Sequence, residues 1–185
     1  MQTSPHRRIT TRGTTSPGRC RESRTGAFVA TAFAVAVAAC STTTAPLPGS
    51  GVPDAFEFSL GGFGVGSTNV LLRCDTLLVW RMALSGPGAT TDTARTVPTD
   101  DRWRAFWRAS EQAGVHRWRR QYQAEGMVDG TGWTTRIVTG GRVVKSTGNN
   151  AYPDHLGREH EMEMTADFQR FLAAVSDLAG QRVGF

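Results

Sequence analysis

The sequence predicts an α+β domain: an antiparallel sheet of about six strands, in the order β-β-β-α-β-β-β-α, with two helices packed on one face. Three observations point there. Apolar residues alternate with polar ones in several short runs, two longer stretches repeat apolar residues at helical spacing, and Gly- or Asp-centred turns separate them.

The first strand follows from Phe56, Phe58 and Leu60 alternating with Glu57 and Ser59, up to Gly61-Gly62. Val70 to Cys74 and Leu77 to Met82 read as the next two strands of a meander, joined by a tight turn at Asp75-Thr76. Ser85 to Pro98, with its Gly, Pro and Thr, reads as a surface loop. The first helix starts near Asp100-Asp101, which complement the positive end of its dipole. It buries Trp103, Phe106, Trp107 and Ser110 and ends at Gly114. A strand from His116 to Gln123 is expected next, with Trp118 and Tyr122 facing the core. Asp129-Gly130 makes a turn into a hairpin, Trp133–Val138 and Arg142–Lys145, around Gly140-Gly141. Asn149 to Asp154 stops the sheet, and a last helix from Arg158 to Ala179 sets Met164, Phe168, Phe171, Leu172, Val175 and Leu178 on one stripe.

The segment ahead of this domain has a different character. Residues 27–39 form an uncharged run of 13, shorter than the ~20 residues that span a bilayer core. Arg7, Arg8, Arg12, Arg19, Arg21 and Arg24 precede it, which is the order of a secretory signal peptide. Its end, Val37-Ala38-Ala39-Cys40, resembles the lipobox of bacterial lipoproteins. That resemblance covers residues 24–41 and implies cleavage before Cys40, a diacylglycerol thioether on its sulfur and acylation of the new amino group. The implied location is the extracytoplasmic face of a cell membrane. At ~0.8 kcal/mol per buried methylene, two or three acyl chains anchor a protein durably. Residues 41–53 are rich in Thr, Pro, Gly and Ser and read as a tether spanning roughly 20 Å. The expected organisation is therefore 1–39 signal peptide, 40–53 lipidated Cys and tether, and 54–185 a single domain.

Charge follows that division. The chain carries 21 Lys and Arg against 16 Asp and Glu; residues 1–39 hold six Arg and one Glu, leaving 15 of each sign from Cys40 onward. This balance removes the compositional case for nucleic acid binding. With Cys20 lost and Cys40 lipidated, Cys74 is expected to stand alone, without an intramolecular disulfide, as a small apolar residue buried in a strand.

No local pattern commits the chain to catalysis. Gly61 to Thr68 lacks the lysine and following helix of a phosphate loop. His155 and Glu159, with His160, Glu161 and Glu163 nearby, fall at helical spacing but lack a zinc signature and read as an acidic first turn. His116, His155 and His160 have no identifiable Ser or Cys partner. The Arg cluster of 102, 104, 108, 117, 119 and 120 reads as the solvated rim of a core holding Trp103, Trp107 and Trp118. No catalytic residue, cofactor-binding residue or metal ligand is assigned.

Trp118-x-x-x-Tyr122, Asp129-Gly130-Thr131-Gly132-Trp133 and Gly148-Asn149-Asn150-Ala151-Tyr152-Pro153 are the most distinctive segments. Together they resemble uncharacterised bacterial envelope domains with W-x-x-x-Y, D-G-T-x-W and G-x-N-A-Y-P elements, over residues 118–175. The resemblance implies a fold and no activity. The residues themselves suit turns and bends, with a groove lined by Trp133 and Tyr152 as the functional alternative. The expectation is a lipid-anchored, non-catalytic module that binds another envelope protein. A small-ligand or cell-wall-polymer binder and a hydrolytic enzyme are the other readings.

Overall fold

Alternation builds the first strand: Phe56, Phe58 and Leu60 of β1 (Ala55–Gly62) are buried while Glu57 is exposed. In a computed structural model, residues 51–64, 66–83, 91–127 and 129–184 are described. They lie within the compact unit Val37–Phe185. The unit Met1–Ala36, the lipobox and residues 40–50 of the tether fall outside the described residues.

β1 pairs antiparallel with β2 (Gly66–Arg73) on one side and β6 (Thr131–Thr139) on the other. β2 continues to β3 (Thr76–Met82) and β3 to β4 (Thr91–Thr96), while β6 pairs with β7 (Arg142–Asn149). A short strand, β5 (Gln121–Gln123), closes the far side, giving the order β4-β3-β2-β1-β6-β7-β5. β8 (Ala151–Pro153) and β9 (Glu159–Glu161) form a separate two-stranded sheet. Helices α1 (Asp100–Gln112) and α2 (Ala166–Ala179) pack on each other and on the sheet's apolar face. The α+β class and the helix-covered sheet stand as expected.

Rings fill the interface between the layers. Phe106 lies 5.2 Å from Phe56 and 6.0 Å from Phe171, and Trp118 stacks 5.8 Å from Phe168, centroid to centroid. Edge-to-face and offset contacts of this kind add to the burial of large apolar area. Both helices are capped by threonine. Thr99 accepts from Arg102 N, with Asp100 and Asp101 in the first turn, and Thr165 accepts from Phe168 N. Each helix is followed by a glycine at positive φ, Gly114 and Gly180.

Several elements differ from the sequence reading. Within the expected loop Ser85–Pro98, Thr91–Thr96 is an edge strand, because main-chain pairing with β3 needs no apolar face. The expected strand His116–Gln123 is a 3₁₀ turn at Val115–Arg117 followed by β5 alone, which pairs parallel to β7. Trp118 and Tyr122 do face the core as expected. The last helix starts at Ala166 rather than Arg158, and residues 159–161 are strand instead. Asn149 does end the main sheet, but the chain then enters β8. The β2–β3 turn sits at Cys74-Asp75, one residue early. Cys74 is therefore exposed, at φ 58°, and not buried in a strand. It is also disulfide-bonded, against the expectation of none, with its partner outside the described residues. No helix among the described residues is long and apolar enough to cross a membrane.

Candidate functional site

The three distinctive segments meet at one corner, where they hold each other. Trp133 Nε1 donates to Ala151 O at 2.9 Å, and a β-carbon on Gly148 would overlap that same indole nitrogen. Asn150, at φ 48°, accepts from Thr131 N at 2.7 Å and donates to Asp129 O at 3.1 Å. Gly130 lies directly against the Asn150 amide. Tyr152 packs 5.0 Å from the Phe168 ring. Trp133 and Tyr152 are only 2% and 3% exposed, so the groove expected between them is instead packed core. Ring–ring contact with Trp118, Tyr122 and Phe168 consumes the surface that a ligand would need.

The histidines and acids of residues 154–170 serve a second structural device. Asp154 is 5% exposed; its Oδ1 accepts from Leu156 N and Arg158 N, both at 2.9 Å. Its Oδ2 meets Arg158 Nε at 2.7 Å and His160 Nε2 at 3.3 Å. Burial alone would raise the pKa of this carboxyl. The hydrogen bonds from Arg158, His160 and Leu156 outweigh it and hold the pKa far below the carboxylate range. Asp167 is likewise held low: burial is again outweighed, by bonds from His155 N, the His155 ring and Arg170. Glu159 accepts from Gln123 N and faces Arg119 at 3.5 Å. His155 and Glu159 share no helix, and no group of three His, Cys, Asp or Glu among the described residues is arranged to hold a metal.

Tyr122 completes this frame. Its hydroxyl accepts from Arg119 N at 2.7 Å and donates to Gly157 O at 3.2 Å, beneath the Arg119 guanidinium 4.8 Å from the ring centroid. The other members of the arginine cluster scatter; Arg104, for one, pairs with Asp101. The glycine-rich Gly61–Thr68 forms the β1–β2 hairpin.

One concave polar surface is not consumed by the fold. Beyond Trp118, whose Nε1 donates to Ala113 O at 3.1 Å, the chain rises toward the sheet and reaches β7 at Ser146, whose Oγ donates to Arg119 O at 2.7 Å, before pairing from Gln121↔Thr147 onward. This leaves a wedge of about 610 Å³ between residues 116–121 and β7. His116, Arg120 and Lys145 line it with Trp118, Val143 and Thr147, and the lining holds no Asp or Glu. Neither Arg120 nor Lys145 joins an ion pair among the described residues. His116 Nδ1 is buried without a hydrogen-bond partner, and its pKa is lowered first by burial, then by Arg117 and Arg142, with Glu111 opposing. Nothing in the sequence spacing joins Lys145 to His116 and Arg120; it arrives beside them through the parallel pairing of β5 with β7.

No family model matches the chain, and no curated protein matches it in sequence.

Proposed function

We propose that the chain is a lipid-anchored domain on the extracytoplasmic face of a cell membrane, and that it binds another envelope protein without transforming it. The anchoring half rests on the Arg-rich leader, the short apolar run and Val37-Ala38-Ala39-Cys40. The observation that carries the binding half is the wedge at His116, Arg120 and Lys145, whose lining holds two cations and, among the described residues, no Asp or Glu. Elsewhere, the most heavily bonded polar side chains, Asp154, Asp167 and Tyr122, secure loops to the fold. Those groups already have partners and support no role in turnover.

The test is in-cell cross-linking of the tagged chain beside two variants, Cys40→Ser and the double charge reversal Arg120→Glu/Lys145→Glu. The expected result is membrane-bound wild type, a released Cys40→Ser form, and one envelope protein captured by wild type and lost with the charge reversal. Wild type in the soluble fraction overturns the anchor. Capture that survives the charge reversal overturns the wedge as the binding surface, and no capture at all overturns the binding reading.

A further inference from the structure

The wedge is also where a sheet edge lies open. β5 is three residues long and pairs only with Thr147, Gly148 and Asn149, whereas β7 begins at Arg142. The register shows which way the uncovered main chain faces. Thr147 N donates to Arg120 O and Asn149 O accepts from Ala124 N, both at 3.0 Å, so 147 and 149 turn their peptide groups toward β5. With the two-residue period of a strand, Val143 and Lys145 turn theirs the same way, while 142, 144 and 146 face β6. At Val143 and Lys145 no strand lies opposite among the described residues. Val143 is 62% exposed and Lys145 is exposed.

Resting on the binding reading above, we infer that β7 is an acceptor edge, and that its partner supplies an extended, acidic segment which adds as a strand along Val143–Lys145 in line with β5. Strand addition takes its affinity from main-chain hydrogen bonds and its selectivity from side chains on either side of the added strand. Here the flanking side chains include two cations: Arg120, beside His116, on one wall and Lys145 on the other. An acidic strand neutralises them, whereas a second copy of this edge brings Lys145 toward Lys145 and is repelled. Charge on an exposed edge thus excludes self-pairing while admitting a complementary partner. The length fits as well. Arg142 to Lys145 is four residues, about 14 Å at ~3.4 Å per residue, room for a short extended segment before Ser146, whose Oγ is bonded to Arg119 O.

The experiment measures binding of fluorescent hexapeptides, alternating Glu with Val or Lys with Val, to the full chain as purified from the cell. Polyphosphate, which is anionic but has no amide backbone, is the competitor. Amide hydrogen exchange is followed at residues 143–147. Val143→Pro removes only the outward-facing N–H, a change that edge strands tolerate, and Lys145→Glu reverses the charge. Circular dichroism and melting curves verify that both variants fold.

The acidic peptide is expected to bind at least tenfold more tightly than the basic one and to protect the Val143 and Lys145 amides. Each variant is expected to weaken it about tenfold or more. Full affinity in folded Val143→Pro, or polyphosphate displacing the peptide from unprotected amides, overturns strand addition and leaves a plain anion site. Failure of the acidic peptide to bind, while cross-linking in the cell still captures a partner dependent on Arg120 and Lys145, also overturns strand addition and leaves the binding reading intact. Failure of both overturns the binding reading itself.

Discussion

The indole Nε1 of Trp133 donates to the carbonyl oxygen of Ala151 at 2.9 Å, which ties β6 to the first residue of β8 across the break between the two sheets. Gly148 faces that bond with no side chain, and a methyl group there would strike both the indole and the Ala151 oxygen. Gly148→Ala is therefore expected to cost about 2–3 kcal/mol through overpacking of a closed core. Trp133→Phe, which leaves Ala151 O unpaired, is expected to cost about 1–3 kcal/mol. Denaturant melts of the two variants and their double mutant check this; additivity would contradict a shared contact.

Asn150 predicts a second, separable effect. Its side chain accepts from Thr131 N and donates to Asp129 O, and its backbone sits at φ 48°. Asn150→Ala loses the bonds and also strains the left-handed backbone, while Asn150→Gly loses only the bonds. The alanine variant is expected to be about 1 kcal/mol less stable than the glycine variant. The reverse order would place the cost elsewhere.

These contacts show what the sequence makes legible. Phe56, Phe58 and Leu60, or Phe168, Phe171 and Val175, declare their faces by periodicity, because a single partner layer covers them. Thr91–Thr96 does not, since an edge strand held by main-chain pairing needs no apolar pattern. Glu159 to Met164 did carry a signal: acids at every second residue fit β9 better than a helix start. Asp154 was passed over because a lone Asp after Pro looks like a turn. Only its four hydrogen-bonding contacts in three dimensions reveal it as a hub. The burial of Trp133 and Tyr152 depends on rings from distant segments, which spacing along the chain does not record.

Asp154 and Asp167 make the stability depend on pH in a stated direction. Both carboxyls titrate lower in the folded chain than in the unfolded one. Their contribution is therefore complete above the unfolded carboxylate value of about 4 and is lost as pH falls below it through the folded values. Asp154→Asn keeps an oxygen for Leu156 N and Arg158 N but puts a donor amide where Oδ2 accepts from Arg158 Nε and meets His160 Nε2, and is expected to cost about 1–3 kcal/mol at pH 7. The gap from wild type is expected to narrow between about pH 4 and pH 2, as read by urea melts. A constant gap would mean that the hub acts by packing and not by charge.

The anchor carries its own prediction. Lipidation consumes the Cys40 sulfur, so a thioether on Cys40 and a Cys40–Cys74 disulfide exclude one another. Intact-mass analysis of the membrane-extracted chain is expected to show loss of residues 1–39 and addition of a diacylglyceryl group to Cys40, unchanged by reductant, which requires that the disulfide of Cys74 in the uncleaved chain be lost on maturation. A two-dalton gain on reduction with no acyl mass would assign Cys40 to the disulfide and remove the anchor.

His116 gives the wedge a pH response. Burial, Arg117 beside it on the 3₁₀ turn and Arg142 on β7 all hold its pKa below the ordinary histidine value, against Glu111 of α1. These contacts favour the neutral ring over the protonated one. An acidic strand beside it adds negative charge, raises that pKa and draws in a proton, so binding is coupled to proton uptake. Affinity for the acidic peptide is expected to rise as pH falls from 8 toward 6. His116→Gln is expected to bind with a flat profile over the same range. Titration of the peptide against both chains at fixed ionic strength decides it. A wild-type curve as flat as that of the variant would show that the added strand does not reach the His116 wall.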